Sequence, residues 1–343
     1  MKRRDFLIPP LKGEGLKRRA FIAMLGGTAL APAFGRAAFA QQTQPVIGSL
    51  SGVLPSTFAK ELEVFRRSLA DTGFVVGQNV QIEYRWAEGH YDWLPKLAAE
   101  LVARRVTVIF ASGTIASAQM AKAATATIPI VFLNGGDPVE DGIVTSLNRP
   151  GGNVTGVTFF SNVLVAKRFG LLLELAPAAA TIAVLVNPRN VRAASDAKNV
   201  QDAARAVGKQ VVIVNASTEH EVGAAFETLR RQGAGALLVS ADAFMNGRRQ
   251  QLATLSAQHA VPTIYPWREA VAVGGLISYG ARIADAFHQA GIYVGRVLKG
   301  EKPGDLPVLQ PSKFELVVNL KAAKAMGLKI SESFLLTADE VIE

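Results

Sequence analysis

Ile128-Pro129-Ile130-Val131-Phe132, closed by Asn134-Gly135-Gly136-Asp137-Pro138, is answered further along the chain by Val261-Pro262-Thr263-Ile264-Tyr265, closed by Pro266-Trp267-Arg268. Each is a short apolar run with proline second and a polar loop at its end, which reads as a buried strand. The two begin 133 residues apart, at 128 and 261. Ile47 and Ile182, in the apolar runs 46–50 and 182–186, lie 135 apart. An ordered repeat at a similar offset predicts a duplicated unit.

The neighbours of these runs repeat in the same order. Residues 58–72 have helical spacing, with Leu62, Phe65 and Leu69 on one face and Lys60, Arg66 and Arg67 on the other. Gly73 supplies the C-cap. A strand at 80–84, a helix at 93–104, a strand at 106–110 and an Ala-rich helix at 116–124 follow. The second half gives a helix at 193–207, a strand at 210–215, a helix at 222–232, a strand at 236–239 and a helix at 248–259. Two such series predict an α/β fold of two lobes, each an open parallel sheet covered by helices. Right-handed crossovers leave little topological choice. Gly151-Gly152-Asn153-Val154-Thr155-Gly156 reads as a turn before a crossing strand at 157–160. A strand at 276–279, a helix at 284–298 and a strand–helix at 314–326 should cross between lobes again. The expected division is residues 44–158 with about 282–312 in lobe 1, and 159–281 with about 313–343 in lobe 2.

The formal charge of +9 suggests a nucleic-acid partner until it is located. Residues 1–40 hold eight basic and two acidic residues, leaving only +3 for the rest, so nucleic acid is not an expected partner. Lys17-Arg18-Arg19-Ala20-Phe21-Ile22 opens an uncharged stretch that reaches Gly35, and Ala38-Phe39-Ala40 follows. A basic start, a short apolar segment and an A-x-A site predict a cleaved export signal over 1–40, with a mature start near Gln41. The paired arginines match the twin-arginine pattern, and Arg3-Arg4-Asp5-Phe6-Leu7 carries a similar one. The expectation is a periplasmic, monomeric protein that is not membrane-embedded. With no Cys in the chain, disulfides, thiolate metal sites, a Cys nucleophile and a lipid-modified Cys are excluded.

Open parallel sheets bind ligands beyond the carboxyl ends of their strands. In two facing lobes, those ends border a cleft. The candidate ligand-binding residues are therefore Ser51, Gly52, Ser112, Gly113, Thr114, Asn134, Gly135 and Asp137 from the first half. Asn187, Asn190, Asp242, Tyr265, Trp267 and Tyr279 come from the second, and Phe160 from between them. Ser, Thr and Gly before a helix offer hydroxyls and free N–H groups to an anion such as a carboxylate, and serve equally as ordinary caps. Phe159, Phe160, Tyr265, Trp267 and Tyr279 can stack on a ligand or pack between lobes, and Asp137, Arg189 and Asp242 can meet ligand charge.

No G-x-x-x-x-G-K-[ST], G-x-G-x-x-G or H-E-x-x-H occurs. In Gly48-Ser49-Leu50-Ser51-Gly52, Leu50 stands where a nucleophile elbow needs Ser. The four His lie in four different segments, without triad or metal spacing. No catalytic residue, metal or cofactor is expected.

The mature chain resembles the ABC-transporter substrate-binding proteins of the group that includes tryptophan- and tyrosine-binding members. The resemblance rests on Gly73-Phe74-Val75-Val76-Gly77-Gln78-Asn79-Val80, on Asp137-Pro138-Val139 after the 128–132 strand, and on Arg149-Pro150-Gly151-Gly152-Asn153-Val154-Thr155-Gly156. Gly295-Arg296-Val297-Leu298-Lys299-Gly300-Glu301-Lys302-Pro303 and Lys313-Phe314-Glu315-Leu316-Val317-Val318-Asn319-Leu320 extend it. It implies a type I periplasmic-binding-protein fold, two Rossmann-like lobes with parallel sheets joined by a multi-segment hinge, a small-molecule ligand in the cleft, and permease and ATPase partners. Members from Gram-positive bacteria are usually lipoproteins, from which this Cys-free chain departs. The loop Phe132-Leu133-Asn134-Gly135-Gly136 differs from that expected of aromatic-amino-acid binders, so the solute stays open: an amino acid, or a small aromatic or carboxylate. A sensory module that reports ligand to a receptor, or less favourably a secreted α/β hydrolase, are the alternatives.

Overall fold

The computed structural model describes residues 44–161 and 164–343. The export-signal reading falls on residues 1–40 and lies outside the described residues. Val46–Ser51 (β1), Gln81–Trp86 (β2), Val108–Ser112 (β3), Ile130–Asn134 (β4) and Val154–Thr158 (β5) form one sheet in the order β2-β1-β3-β4-β5. Every pairing in it is parallel. Ala59–Asp71 (α1), Leu94–Ala103 (α2) and Ile115–Ala124 (α3) are its crossover helices. β3 and β4 are buried along their whole length, which is why they read as unbroken apolar runs.

Val165–Leu175 (α4) leads into the second sheet. Its strands are Thr181–Val186 (β6), Gln210–Asn215 (β7), Ala236–Val239 (β8), Thr263–Tyr265 (β9), Ile277–Gly280 (β10), Glu315–Asn319 (β11) and Glu340–Ile342 (β12). The order is β12-β11-β10-β9-β8-β6-β7. Within it, β7-β6-β8-β9-β10 repeats the order of the first sheet, so the duplication is present in topology as well as in spacing. The helices are Ala193–Ala206 (α5), Glu219–Arg231 (α6), Ala243–Gly247 (α7), Arg249–Gln258 (α8), Arg268–Val271 (α9), Ile283–Leu298 (α10), Leu320–Ala325 (α11) and Glu332–Leu335 (α12). None of the described helices is long and apolar enough to cross a membrane.

α10 follows β10 of the second sheet yet packs into the first lobe, where Phe287, Ala290 and Val294 share a core with Phe65 and Phe110. Phe65 stacks on Phe110 at 4.4 Å, and Phe287 meets Phe110 edge-on at 6.2 Å. Two glycines one turn apart let α10 approach α1 closely. A Cβ on Gly291 would stand 2.6 Å from the Phe65 carbonyl, and one on Gly295 would stand 2.0 Å from Thr72 Oγ1. After α10 the chain runs beside β5, with Leu309 N–H donating to the Gly156 carbonyl and Thr158 N–H to the Leu309 carbonyl. It then returns to the second sheet from the open end of β10.

Four expectations need correction. The second sheet is mixed rather than parallel: β11 pairs antiparallel to β10, with Glu315 opposite Gly280, because the chain re-enters from the end at which β10 left. Val154, Thr155 and Gly156 belong to β5 and not to a turn. Gly156 is demanded by packing, since a Cβ there would lie 2.2 Å from the Phe132 carbonyl. The strand therefore ends at Thr158, and Phe160 takes a left-handed φ of 41° instead of extending it. Finally, α4 was not anticipated, because Gly170 interrupts it and its inner face carries the buried Arg168.

Gly291→Val should lower the melting temperature by several degrees. Overpacking costs about 1–3 kcal/mol, and about 2–4 °C accompanies each kcal/mol in domains of 150–250 residues. The half-buried Gly170→Ala, whose Cβ meets nothing within 4 Å, should not lower it; calorimetry on both variants checks the pair.

Candidate functional site at the seam of the lobes

The carboxyl ends of the strands in both sheets converge on one cavity of about 60 Å³. Phe58, Tyr91, Gly113, Thr114, Ile115, Ala116, Leu133, Gly135, Gly136 and Phe159 form one side of the wall. Ser161, Arg189, Asn190, Val191, Arg192, Ala241, Asp242, Ala243 and Trp267 complete it from the other side.

Among the sequence candidates, Gly113, Thr114, Gly135, Asn190, Asp242 and Trp267 line this cavity. Thr114 is extended and caps α3, its Oγ1 accepting from Ser117 N–H at 3.2 Å. Ile115 and Ala116 follow in the first turn, where amide N–H groups have no intrahelical acceptor. Ser51 and Gly52 stand behind that wall: a Cβ on Gly113 would meet Ser51 Oγ at 2.8 Å, and one on Gly52 would meet Thr114 Oγ1 at 2.6 Å.

The other candidates lie elsewhere, each for a local reason. Ser112 is buried in the last position of β3. Asn134 ends β4, is buried, and has neither side-chain atom partnered among the described residues. Asp137 closes its own turn, with Oδ1 accepting from Val139 N–H at 2.8 Å and Glu140 N–H at 3.2 Å. Asn187 donates to Asp242 Oδ1 at 3.2 Å, behind the lining. Phe160 is displaced by its left-handed turn, and its neighbour Phe159 takes the wall position, meeting Trp267 edge-on at 5.9 Å. Tyr265 is core, its hydroxyl 3.1 Å from Ser256 Oγ and its pKa pushed up by burial. Tyr279 packs on Phe314 at 6.3 Å.

Sequence reasoning passed over Tyr91, Ser161 and Arg192. Tyr91 follows β2, so the strand-end rule applied with equal force to the loop 87–93. Ser161 and Arg192 carry no periodicity or motif, and only the meeting of the lobes brings them to the cavity.

The lobes touch across the cavity through charge. Arg192 donates to Asp141 Oδ1 at 2.6 Å and to Glu140 Oε2 at 3.2 Å, and Arg189 Nη1 lies 3.5 Å from the Gly89 carbonyl. Arg192 and Asp141 are both largely buried, so water screens this pair little. Burial pushes the Asp141 carboxyl up and Arg192 pulls it back, with a net upward direction. Behind the cavity, the fully buried Arg168 donates to the Ser161 carbonyl at 2.6 Å. Burial brings its guanidinium down to about 10, while Asp196 opposes the shift. Burial likewise lifts Asp196 to about 6 against the pull of Arg168.

Residues 55–342 match the family described as ABC transporter substrate binding protein. The chain belongs to this family. It is 29% identical over 265 residues to the tyrosine-binding protein of Clostridioides difficile, covering 77% of this chain and 76% of that protein. The structure of a Streptococcus pneumoniae ABC domain in complex with L-Trp is 25% identical and matches with a TM-score of 0.78 over 88% of this chain and all of that one. The ligand-free, open structure of a Clostridium difficile substrate-binding protein with adhesive properties is 26% identical over 87% of this chain and 99% of that one, yet reaches only 0.62. The matched structures carry the two-lobed periplasmic-binding-protein fold.

For a substrate-binding protein of this kind, two outcomes follow from the charges. Arg192→Ala should leave the melting temperature within a few degrees but enlarge the ligand-free radius of gyration in small-angle scattering; an unchanged radius would show that the pair does not hold the lobes together. Asp196→Asn tests the buried carboxyl. Its folded pKa is raised, so its contribution is most favourable below about pH 4 and is lost as pH rises through about 6. The variant should therefore be more stable than wild type at pH 8, by up to roughly 3 kcal/mol. The two should converge near pH 4 in pH-dependent calorimetry.

Proposed function

We propose that the protein captures a small organic solute between its lobes and hands it to a membrane permease driven by an ATPase. One observation carries this reading: both sheets present their strand ends to a single cavity in which cross-lobe contacts and buried polar groups meet. Ser161 Oγ and Trp267 Nε1 are both buried there without a partner among the described residues. A solute that touches both walls favours the closed arrangement by its differential contacts. The crossings near 159–161, 281–282 and 310–314 act as the hinge, and the path of α10 and β11 between the sheets supports this reading. The first-turn amides of α3 receive a carboxylate, and Phe58, Phe159 and Trp267 supply the apolar wall. A relative described as tyrosine-binding and another solved with L-Trp support a solute of amino-acid size.

The site is non-catalytic in this reading. The place of action is the periplasm, reached through the twin-arginine signal at Arg18-Arg19. The chain is free of a lipid anchor because it has no Cys. It acts as a monomer.

A thermal-shift screen against small metabolites tests the reading. A solute at 100 times its Kd adds about 2.7 kcal/mol, a rise of several degrees. The expected result is one chemical class that shifts melting and is recovered unchanged. A flat screen, with no small molecule released on denaturation as read by mass spectrometry, would overturn it.

A further inference from the structure

A fully buried arginine sits where the chain crosses between the two sheets. Arg168 is 1% exposed and belongs to α4, whose Phe169 and Leu172 share a core with Ile182 and Ile277 of the second sheet. Its Nη2 donates to the Ser161 carbonyl at 2.6 Å, and its Nη1 to the Tyr279 carbonyl at 3.5 Å. Ser161 lies just past β5, and Tyr279 lies in β10, the strand from which the chain leaves for α10. One guanidinium therefore ties the incoming and the outgoing chain to the same helix. Asp196, on α5, supplies the opposing charge. Burying a guanidinium is costly, so its use here needs a geometric ground. Its donors form a rigid planar fork that holds two acceptors in fixed directions, which an ammonium on a flexible stem does not.

On the far side of each crossing the chain is tied to the first sheet. Phe159 N–H donates to the Asn134 carbonyl at 3.0 Å, and Phe160 N–H donates to Thr158 Oγ1 at 3.2 Å. Thr158 Oγ1 itself donates to the Gly136 carbonyl at 2.6 Å. The first crossing is thus held to one sheet as far as the Phe160 nitrogen and to α4 from the Ser161 carbonyl onward. Between those points the backbone carries the left-handed φ of 41° at Phe160. A non-glycine residue stays in that region only where its surroundings over-determine it. The second crossing is as abrupt. Gly280 is fixed in the second sheet, where a Cβ would stand 2.0 Å from the Pro266 carbonyl, while Ala281 is buried with Phe287 in the core around α1 and α10.

We propose that Arg168 is the positioning residue of the hinge: by holding the Ser161 and Tyr279 carbonyls to α4, it confines lobe bending to the links Phe160–Ser161 and Gly280–Ala281. This rests on the reading that the lobes close around a solute. Arg168 is not among the residues lining the cavity, and it acts through the backbone. Without the fork the bend spreads into the second lobe, and the cross-lobe contact of Arg192 with Asp141 and Glu140 forms less often.

The test is hydrogen exchange read by mass spectrometry at pH 8, with small-angle scattering on the same samples, after unfolding and refolding to strip carried solute. Arg168→Lys keeps a charge but not the fork. Arg168→Met combined with Asp196→Asn removes both buried charges, so that neither is left uncompensated. In both variants, peptides containing Phe160 or Ala281 should exchange about tenfold faster than in wild type or more, while peptides from β3 and β6 match wild type. The radius of gyration should grow. Wild-type exchange around Phe160 and Ala281 in either variant would overturn the proposal, because the fork would then not set the bend. So would exchange that rises equally in all peptides, or failure of both variants to fold, because Arg168 would then serve the core as a whole. No solute enters these measurements, so such a result leaves the solute-binding reading standing, and a flat solute screen leaves these measurements untouched.

Discussion

Two adjacent parallel strands cannot be joined by a hairpin, and each connection must carry the chain back to the starting edge. That constraint governs this molecule. In both sheets, β1 to β4 and β6 to β9 discharge their loops at one edge, and the order β2-β1-β3-β4-β5 recurs as β7-β6-β8-β9-β10. Polar, glycine-rich segments such as Ser112-Gly113-Thr114 and Asn134-Gly135-Gly136 gather there because helices cover the faces of the sheets. When two such edges meet, the result is a cavity lined by strand-end loops rather than by core.

The meeting of the edges depends on segments that leave their own half. α10 belongs by sequence to the second half and by packing to the first, where Gly291 and Gly295 allow it against α1. Its return sends β11 antiparallel along β10. The chain thus passes between the two sheets more than once. Across the cavity, Arg192 with Asp141 and Glu140 supplies attraction in a poorly hydrated setting. Breaking such a pair leaves buried charge exposed to little compensation, whereas solvating it fully on opening is cheap. That balance suits a joint that must both hold and release.

Much of the fold was legible because burial on both faces leaves a plain signature. β3, β4, β6 and β8 are apolar runs of strand length, and their spacing repeats. α7, α9 and β12 are too short for a period to register. α4 escaped because Arg168 occupies its buried face, a position that polarity alone assigns to solvent. Gly156 misled in the opposite direction: it reads as turn chemistry, but it is a strand residue that leaves room for the backbone of β4.

The local chemistry of the cleft was present in the sequence by itself. Gly113 before Thr114 and a helix, Asn190 and Asp242 in strand-end loops, and Trp267 after a short strand all follow from periodicity and turn chemistry, which act over a few residues. Only the tertiary structure decided which groups remain free. Tyr265 and Trp267 are two residues apart, and the backbone turn between them sends one into the core and the other to the cavity wall. Asp242 reads as an available acceptor until Asn187 and Asn190 are seen to fill it. Hydrogen-bond satisfaction is a property of three-dimensional neighbours, separated by 55 residues in the pair Asn187 and Asp242, and no local pattern encodes it.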